Sequence, residues 1–219
     1  MATAALNKFA KYYDAQILRR SGANCRLGDL YDWAGIFNQR LTPVNDNVVN
    51  WVVADAPTRD VLRQQAAAAP TYAANFADIV DLTNTLSVGV KPDLPNVPVA
   101  IAADLTTKTI LNFHFEGVLT KPMPDEMGIQ IRHFLEEYKA ANFPDYQHHL
   151  RPYDLVVALY YAQQVVLKVD RNTQISAEAK TKVEAIGGSV TVTAEGHEEL
   201  RFDQSICPFA VTLKATKSY

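Results

Sequence analysis

The chain has 219 residues, of which 48% are hydrophobic, 10% aromatic and 21% charged. That composition excludes a disordered chain, a collagen and a disulfide-dense scaffold, and the length suffices to bury roughly 70% of the unfolded surface. The formal charge of −3, from 21 Lys and Arg against 24 Asp and Glu, speaks against a general nucleic-acid binder, which needs a basic face.

The charge is unevenly placed. Residues 1–40 carry six basic groups (Lys8, Lys11, Arg19, Arg20, Arg26, Arg40) against three acidic ones (Asp14, Asp29, Asp32), which leaves the remainder acidic. No apolar stretch approaches the ~20 residues of a membrane-spanning helix. The opening MATAALNKFAKYYDA has no apolar h-region of a signal peptide, so a soluble, cytoplasmic ground state is expected. Cys25 and Cys207 have no metal spacing and read as reduced thiols, with one long-range disulfide as the alternative.

In chain order, Leu6, Phe9, Ala10, Tyr13 and Ile17 recur at helical spacing, predicting an amphipathic helix over 4–18 with Lys8, Lys11 and Arg19 off the apolar stripe. Residues 26–47 read as loop and short helix, and Val48–Val53 as a strand. RDVLRQQAAAA (59–69) predicts a short helix stopped by Pro70. Period-two runs then follow: Leu86, Val88 and Val90; Val97, Val99 and Ile101 up to Leu105, among prolines; and Leu111, Phe113 and Phe115. A helix is expected over 125–140 with Met127, Ile131, Phe134, Leu135 and Tyr138 on one face and Asp125 and Glu126 at its positive end. Pro144 and Pro152 bound an expected polar loop.

Tyr153–Asp170 is the most informative segment. Its odd positions, Tyr153, Leu155, Val157, Leu159, Tyr161, Gln163, Val165, Leu167 and Val169, are apolar or aromatic but for Gln163. That pattern predicts either two strands with a bend or one unusually long strand, with a turn at Asp170–Thr173. The next residues, QISAEAKTKVEAIGG, satisfy two periods at once. Ile175, Ala177, Ala179, Thr181, Val183 and Ala185 share one strand parity, whereas Ile175, Ala179, Val183 and Ile186 share a helix face. In water a helix is expected, capped by Ser176 and ended by Gly187. An amphipathic environment would reward the strand. Strands are expected to close the chain at 189–194, 199–203 and 207–215.

Motifs for catalysis are sparse: no phosphate loop, GxGxxG, GxSxG, HExxH or CxxC occurs. Asp145, His148 and His149 have metal-ligand chemistry, but in a polar loop they read as solvated, and no metal or other cofactor is expected. Cys25 as a nucleophile, and His114 beside Glu116 as a dyad, have nothing else in the sequence to support them. Bilayer-spanning β-strands need about 9–11 residues of alternating polarity with every edge paired. The regions 84–118 and 153–194 meet the first requirement, although the same alternation marks a one-sided antiparallel sheet in a soluble protein.

The succession RLGDLYDWAGIF, ILNFHFEGVL, EMGIQIRHFLEEYKA, YDLVVALYYAQQVVLKVD, AEAKTKVEAIGG, ELRF and PFAVTLKA resembles, in order and texture, the pore-forming domain of gasdermins, particularly the compact bacterial members. The resemblance covers most of residues 4–215. It implies an α+β fold, a twisted antiparallel sheet with flanking helices, and a pore-forming domain usually held inactive by a C-terminal inhibitory segment. Over 1–219 a single such domain with no clear C-terminal inhibitory domain is expected, a departure from the family. It implies a non-enzymatic protein, cytoplasmic when inactive and at the cell membrane when active. Its partners would be acidic membrane lipids, further copies of itself, and an activating protease or partner protein, but no nucleic acid. Lys8, Lys11, Arg19 and Arg20 are the lipid-facing candidates, each worth about 1 kcal/mol at an anionic surface. The membrane-inserting faces would carry Val97, Val99, Ile101, Leu111, Phe113 and Phe115 in the first region. In the second they would carry Leu155, Val157, Leu159, Tyr161, Val165, Leu167, Ile175 and Val183. Bacterial members often carry an acylated cysteine in their first few residues; the first cysteine here is Cys25, and no acylation is assigned to it. The competing expectations are a soluble α+β binding or interaction module and a small hydrolase or metal-dependent enzyme using Asp145, His148 and His149.

Overall fold

The computed structural model describes residues 4–18, 25–34, 40–52, 56–68, 72–73, 84–85, 105, 110–203 and 208–219. The strand readings over 86–90 and 97–101 lie outside the described residues, as do Arg19, Arg20, Val97, Val99, Ile101 and Cys207, and the side chains of Leu6, Phe113, His114 and Glu116. In chain order the elements are α1 (Ala4–Tyr13), β1 (Ala15–Ile17), β2 (Asp29–Ala34), β3 (Arg40–Asn47), α2 (Val49–Val52) and α3 (Ala56–Ala67). The short strands β4 (Tyr72–Ala73) and β5 (Asn84–Thr85) precede β6 (Ile110–Pro122), α4 (Asp125–Ala141), α5 (Phe143–His149) and β7 (Asp154–Val169). Then come α6 (Ala177–Ala185), β8 (Ser189–Val192), β9 (Glu198–Asp203), β10 (Ala210–Ala215) and a final 3-10 turn at Thr216–Ser218. The fold is α+β, and its strands pair antiparallel wherever register is defined. The chain divides into two compact units, one of Met1–Asn24, Thr71–Thr120 and Tyr160–Ala210, the other of Cys25–Pro70, Lys121–Leu159 and Val211–Tyr219.

In the first unit, α1 is anchored by Phe9, which is fully buried. Its ring lies 4.5 Å from Tyr13, 5.2 Å edge-on from Tyr160 and 5.1 Å from Phe209. Phe115 of β6 closes the cluster, 4.8 Å from Phe209. Tilted and edge-on rings at this spacing gain energy beyond their buried area. The helix ends at Tyr13 rather than at residue 18 because Asp14 takes a φ of 49°. Asp tolerates that left-handed conformation better than most residues, and one such residue breaks a helix. Ile17 therefore belongs to an extended β1, and Leu18 N–H donates to the Phe209 carbonyl at 2.9 Å.

The run from Asp154 to Val169 forms one uninterrupted strand of 16 residues, about three times the usual length. Leu155, Leu159, Val165, Leu167 and Val169 are buried as their shared parity demands, but so are Val156, Tyr160, Ala162 and Val166 of the other parity. Both faces of this strand are covered, which explains why its even positions are less polar than a one-sided strand requires. In the first unit β7 pairs with β9, from Gln164↔Asp203 to Val169↔Glu198, and β9 pairs with β8, from Ser189↔Arg201 to Val192↔Glu198. β6 pairs with β4 and β5 there, at Tyr72↔Thr120 and Asn84↔Phe113.

In the second unit β2 pairs with β3 (Tyr31↔Pro43, Trp33↔Leu41) and with the start of β7 (Leu30↔Leu155). The sequence reading is corrected here: 26–47 supplies two strands, and Val49–Val52 is a helical turn rather than a strand. Asn47 causes the switch. Its Oδ1 accepts from Val49 N–H at 2.9 Å, capping the turn, while its Nδ2 donates to the Leu27 carbonyl and to Asp29. The helix expected over 59–69 spans Ala56–Ala67. The helix expected over 125–140 forms as α4, with Met127, Ile131 and Leu135 buried one turn apart. The expected loop after Pro144 is instead the short helix α5. Proline in a first helical turn removes a donor that has no partner anyway, and Tyr146 and Leu150 supply the buried side. Thr216 ties the C-terminal residues to this segment. Its Oγ1 lies 2.6 Å from the Leu150 carbonyl and 3.0 Å from that of Tyr153, and Tyr146 Oη donates to the Thr216 carbonyl at 3.3 Å.

Candidate functional site

Two features of the first unit bear on the expected membrane chemistry. The first is the outer face of α1. Lys8, Lys11 and Tyr12 fall at i, i+3 and i+4, share one side of the helix, and are exposed, Tyr12 by 66%. Burial of Phe9 on the inner side turns this face outward. It combines two ammonium groups with a phenol. Tyr13, on the inner side, has its phenol pushed well above the ordinary range by burial, with Tyr160 and Tyr12 adding to the effect.

The second feature is the run from β7 through α6 to β9. Asp170 closes the turn after β7, accepting Asn172 N–H on Oδ1 at 2.8 Å and Thr173 N–H on its carbonyl at 2.9 Å. Ser176 Oγ then accepts Ala179 N–H at 3.2 Å and caps α6. At the other end Gly187 takes a φ of 79°, its N–H donating to Glu184, while Gly188 N–H donates to Val183 at 2.9 Å. That is the paired C-terminal bond pattern a left-handed glycine permits. Gly188 has its own constraint, since a Cβ there would lie 2.6 Å from the Arg201 carbonyl oxygen. Glu178 and Lys182 pair at 2.6 Å along the exposed side. Both caps read from the sequence are thus present, and the segment with two periods is helical in this state.

Among the described residues, the expected lipid-inserting side chains are mostly interior. Phe115, Leu155, Leu159, Val165, Leu167, Ile175 and Val183 are buried, and Leu111, Val157 and Tyr161 are half-buried. Sequence reasoning missed Glu198, a carboxylate whose side chain is only 5% exposed. It accepts Ile175 N–H at 2.6 Å and pairs with Lys180 Nζ at 2.5 Å. Nothing in EELRF distinguishes it from the half-buried Glu199 beside it, because its partners lie 18 and 23 positions away.

The alternative chemistries gain no geometry. Asp145, His148 and His149 are exposed on α5, with the His149 ring stacked 6.4 Å from Trp51. Among the described residues no three His, Cys, Asp or Glu side chains are grouped to hold a metal ion. Cys25 is a buried free thiol pushed up to about 12, mainly by burial, so at neutral pH it is not a thiolate nucleophile. Among the described residues no helix is long and apolar enough to cross a membrane.

Among solved structures, a bacterial gasdermin from Bradyrhizobium tropiciagri is similar. The two share 13% identity and a TM-score of 0.45 over 95% of this chain and 85% of that one. No family model and no curated protein matches the sequence. The functional reading therefore stands on this chain's own residues.

Proposed function

We propose that this chain is a pore-forming protein that binds acidic membranes, refolds the regions 84–118 and 153–194 into amphipathic hairpins, and assembles with copies of itself into a β-barrel. The observation that carries the reading is the α6 segment. Nine residues, Ala177–Ala185, fold as a helix capped by Ser176, yet the run 175–185 keeps strict strand alternation, with Ile175, Ala177, Ala179, Thr181, Val183 and Ala185 on one side and Ser176, Glu178, Lys180, Lys182 and Glu184 on the other. A helix needs no such alternation, whereas a strand crossing a bilayer needs about this length of it. β7, which precedes it, is already longer than a crossing strand must be. The exposed Lys8, Lys11 and Tyr12 supply a first contact with anionic lipid, and the resemblance of element order to gasdermins points the same way.

Dye-loaded vesicles test this directly. Purified chain, with and without limited proteolysis, is expected to release dye from anionic vesicles and to spare neutral ones. No release under any of these conditions sinks the reading. The burial of both parities of β7 favours a second reading, a soluble interaction module, which predicts no release and no lipid binding.

A further inference from the structure

Glu198 stands at a junction. Its backbone is paired on both sides, with Val169 of β7 and Val192 of β8. Its side chain reaches the segment between those strands, taking the Ile175 N–H just before α6 and the Lys180 ammonium within it. Lys180 is the more open partner, at 37% side-chain exposure against 5% for Glu198. A carboxylate this buried is tolerated because it is paired and hydrogen-bonded, and removing its partners leaves a charge with neither water nor a counter-ion. α6 therefore cannot lift away while Glu198 stays buried and ionised.

We propose that Glu198 is a latch that holds residues 175–186 in the helical state and restrains their conversion to strand. The other contacts of α6 are weaker restraints. Its N-cap Ser176 lies within the segment and moves with it, and the Glu178–Lys182 pair joins two of its own residues. Val183 and Ala179 are buried, but apolar burial is non-directional and would be recovered in lipid. The bonds to Glu198 have no counterpart there. The restraining role rests on the pore-forming reading; the latch itself does not.

Glu198→Gln keeps the shape and the acceptor for Ile175 while removing the charge. Hydrogen exchange of the α6 amides, 180–188, is expected to speed roughly 10- to 100-fold, the range for a lost charged hydrogen bond, with the β7–β9 ladder unchanged. Lys180→Gln, at the more exposed partner, is expected to act in the same direction and serves if Glu198→Gln fails to fold. Unchanged exchange at 180–188 in a folded variant overturns the latch, and so does an equal loss of protection across β7 and β9. Dye release from anionic vesicles separates the two claims. Release at least tenfold faster in the variant supports restraint of pore formation. Faster exchange with equal release by both proteins overturns that restraint. Faster exchange with no release by either protein supports the latch and overturns only the pore-forming reading.

Discussion

Cys25 shows how burial silences a reactive group. Burial is the largest influence on its thiol, with a bond from Tyr31 acting against it and the Asp29 carboxylate adding to it. An ordinary thiol at 9.0 is pushed up to about 12, so the folded chain keeps its proton where the unfolded chain has lost it. Folding is therefore favoured less as pH rises from 9 toward 12. In a Cys207→Ser background, alkylation of Cys25 at pH 8 is expected to be roughly a thousandfold slower in the folded chain than in urea. Equal rates would place the thiol at the surface. Lys121 illustrates the same penalty for a cation: it is buried, donates to the Ala66 carbonyl in the last turn of α3, and has its ammonium shifted down by burial. Asp14 acts through its backbone geometry and Asn47 through its side-chain amide, one ending α1 and the other starting α2. Neither role is visible in hydrophobic periodicity, which is why the boundaries around residues 14–18 and 47–53 differ from the sequence reading.

Elements read best where local chemistry and periodicity agree. Helix α4 follows from Met127, Ile131 and Leu135 at successive turns, and α6 from its Ser176 and Gly187 caps. β7 was legible as extended, but its continuity was not, because whether a strand bends depends on its neighbours. The dual period of α6 permits a variant that separates its two states. Ala177 is exposed in the first turn of the helix, where an acidic side chain is favoured by the dipole, but it lies on the apolar parity of the strand. Ala177→Asp is expected to leave the melting temperature of the soluble chain unchanged or slightly raised, and to abolish dye release. Val183→Asp would also place a charge on that parity, but Val183 is fully buried and its loss would unfold the soluble state as well. Release by a folded Ala177→Asp protein would show that this parity never faces lipid.

For the whole molecule, net charge is a poor guide to partners. The total of −3 conceals a basic first forty residues, of which Lys8 and Lys11 are exposed on α1. Replacing both by Ala preserves helix propensity and touches no buried group. At about 1 kcal/mol per lysine near an anionic surface, the double variant is expected to bind anionic vesicles roughly 30-fold more weakly. Wild-type binding is expected to weaken with salt as the Debye length shortens. Equal binding by wild type and variant would remove α1 from the membrane contact.

Composition and periodicity alone determined that the chain mixes helices with strands, that its hydrophobic half is divided among them, and that residues 175–186 are suited to two conformations. These are local properties, set by side-chain spacing, caps and glycine. Tertiary structure decided that β7 runs unbroken with both faces covered, and that Glu198 is buried against Ile175 and Lys180. Pairing between residues distant in sequence depends on how strands and turns close in space, and a carboxylate carries no local mark of the partners that will bury it.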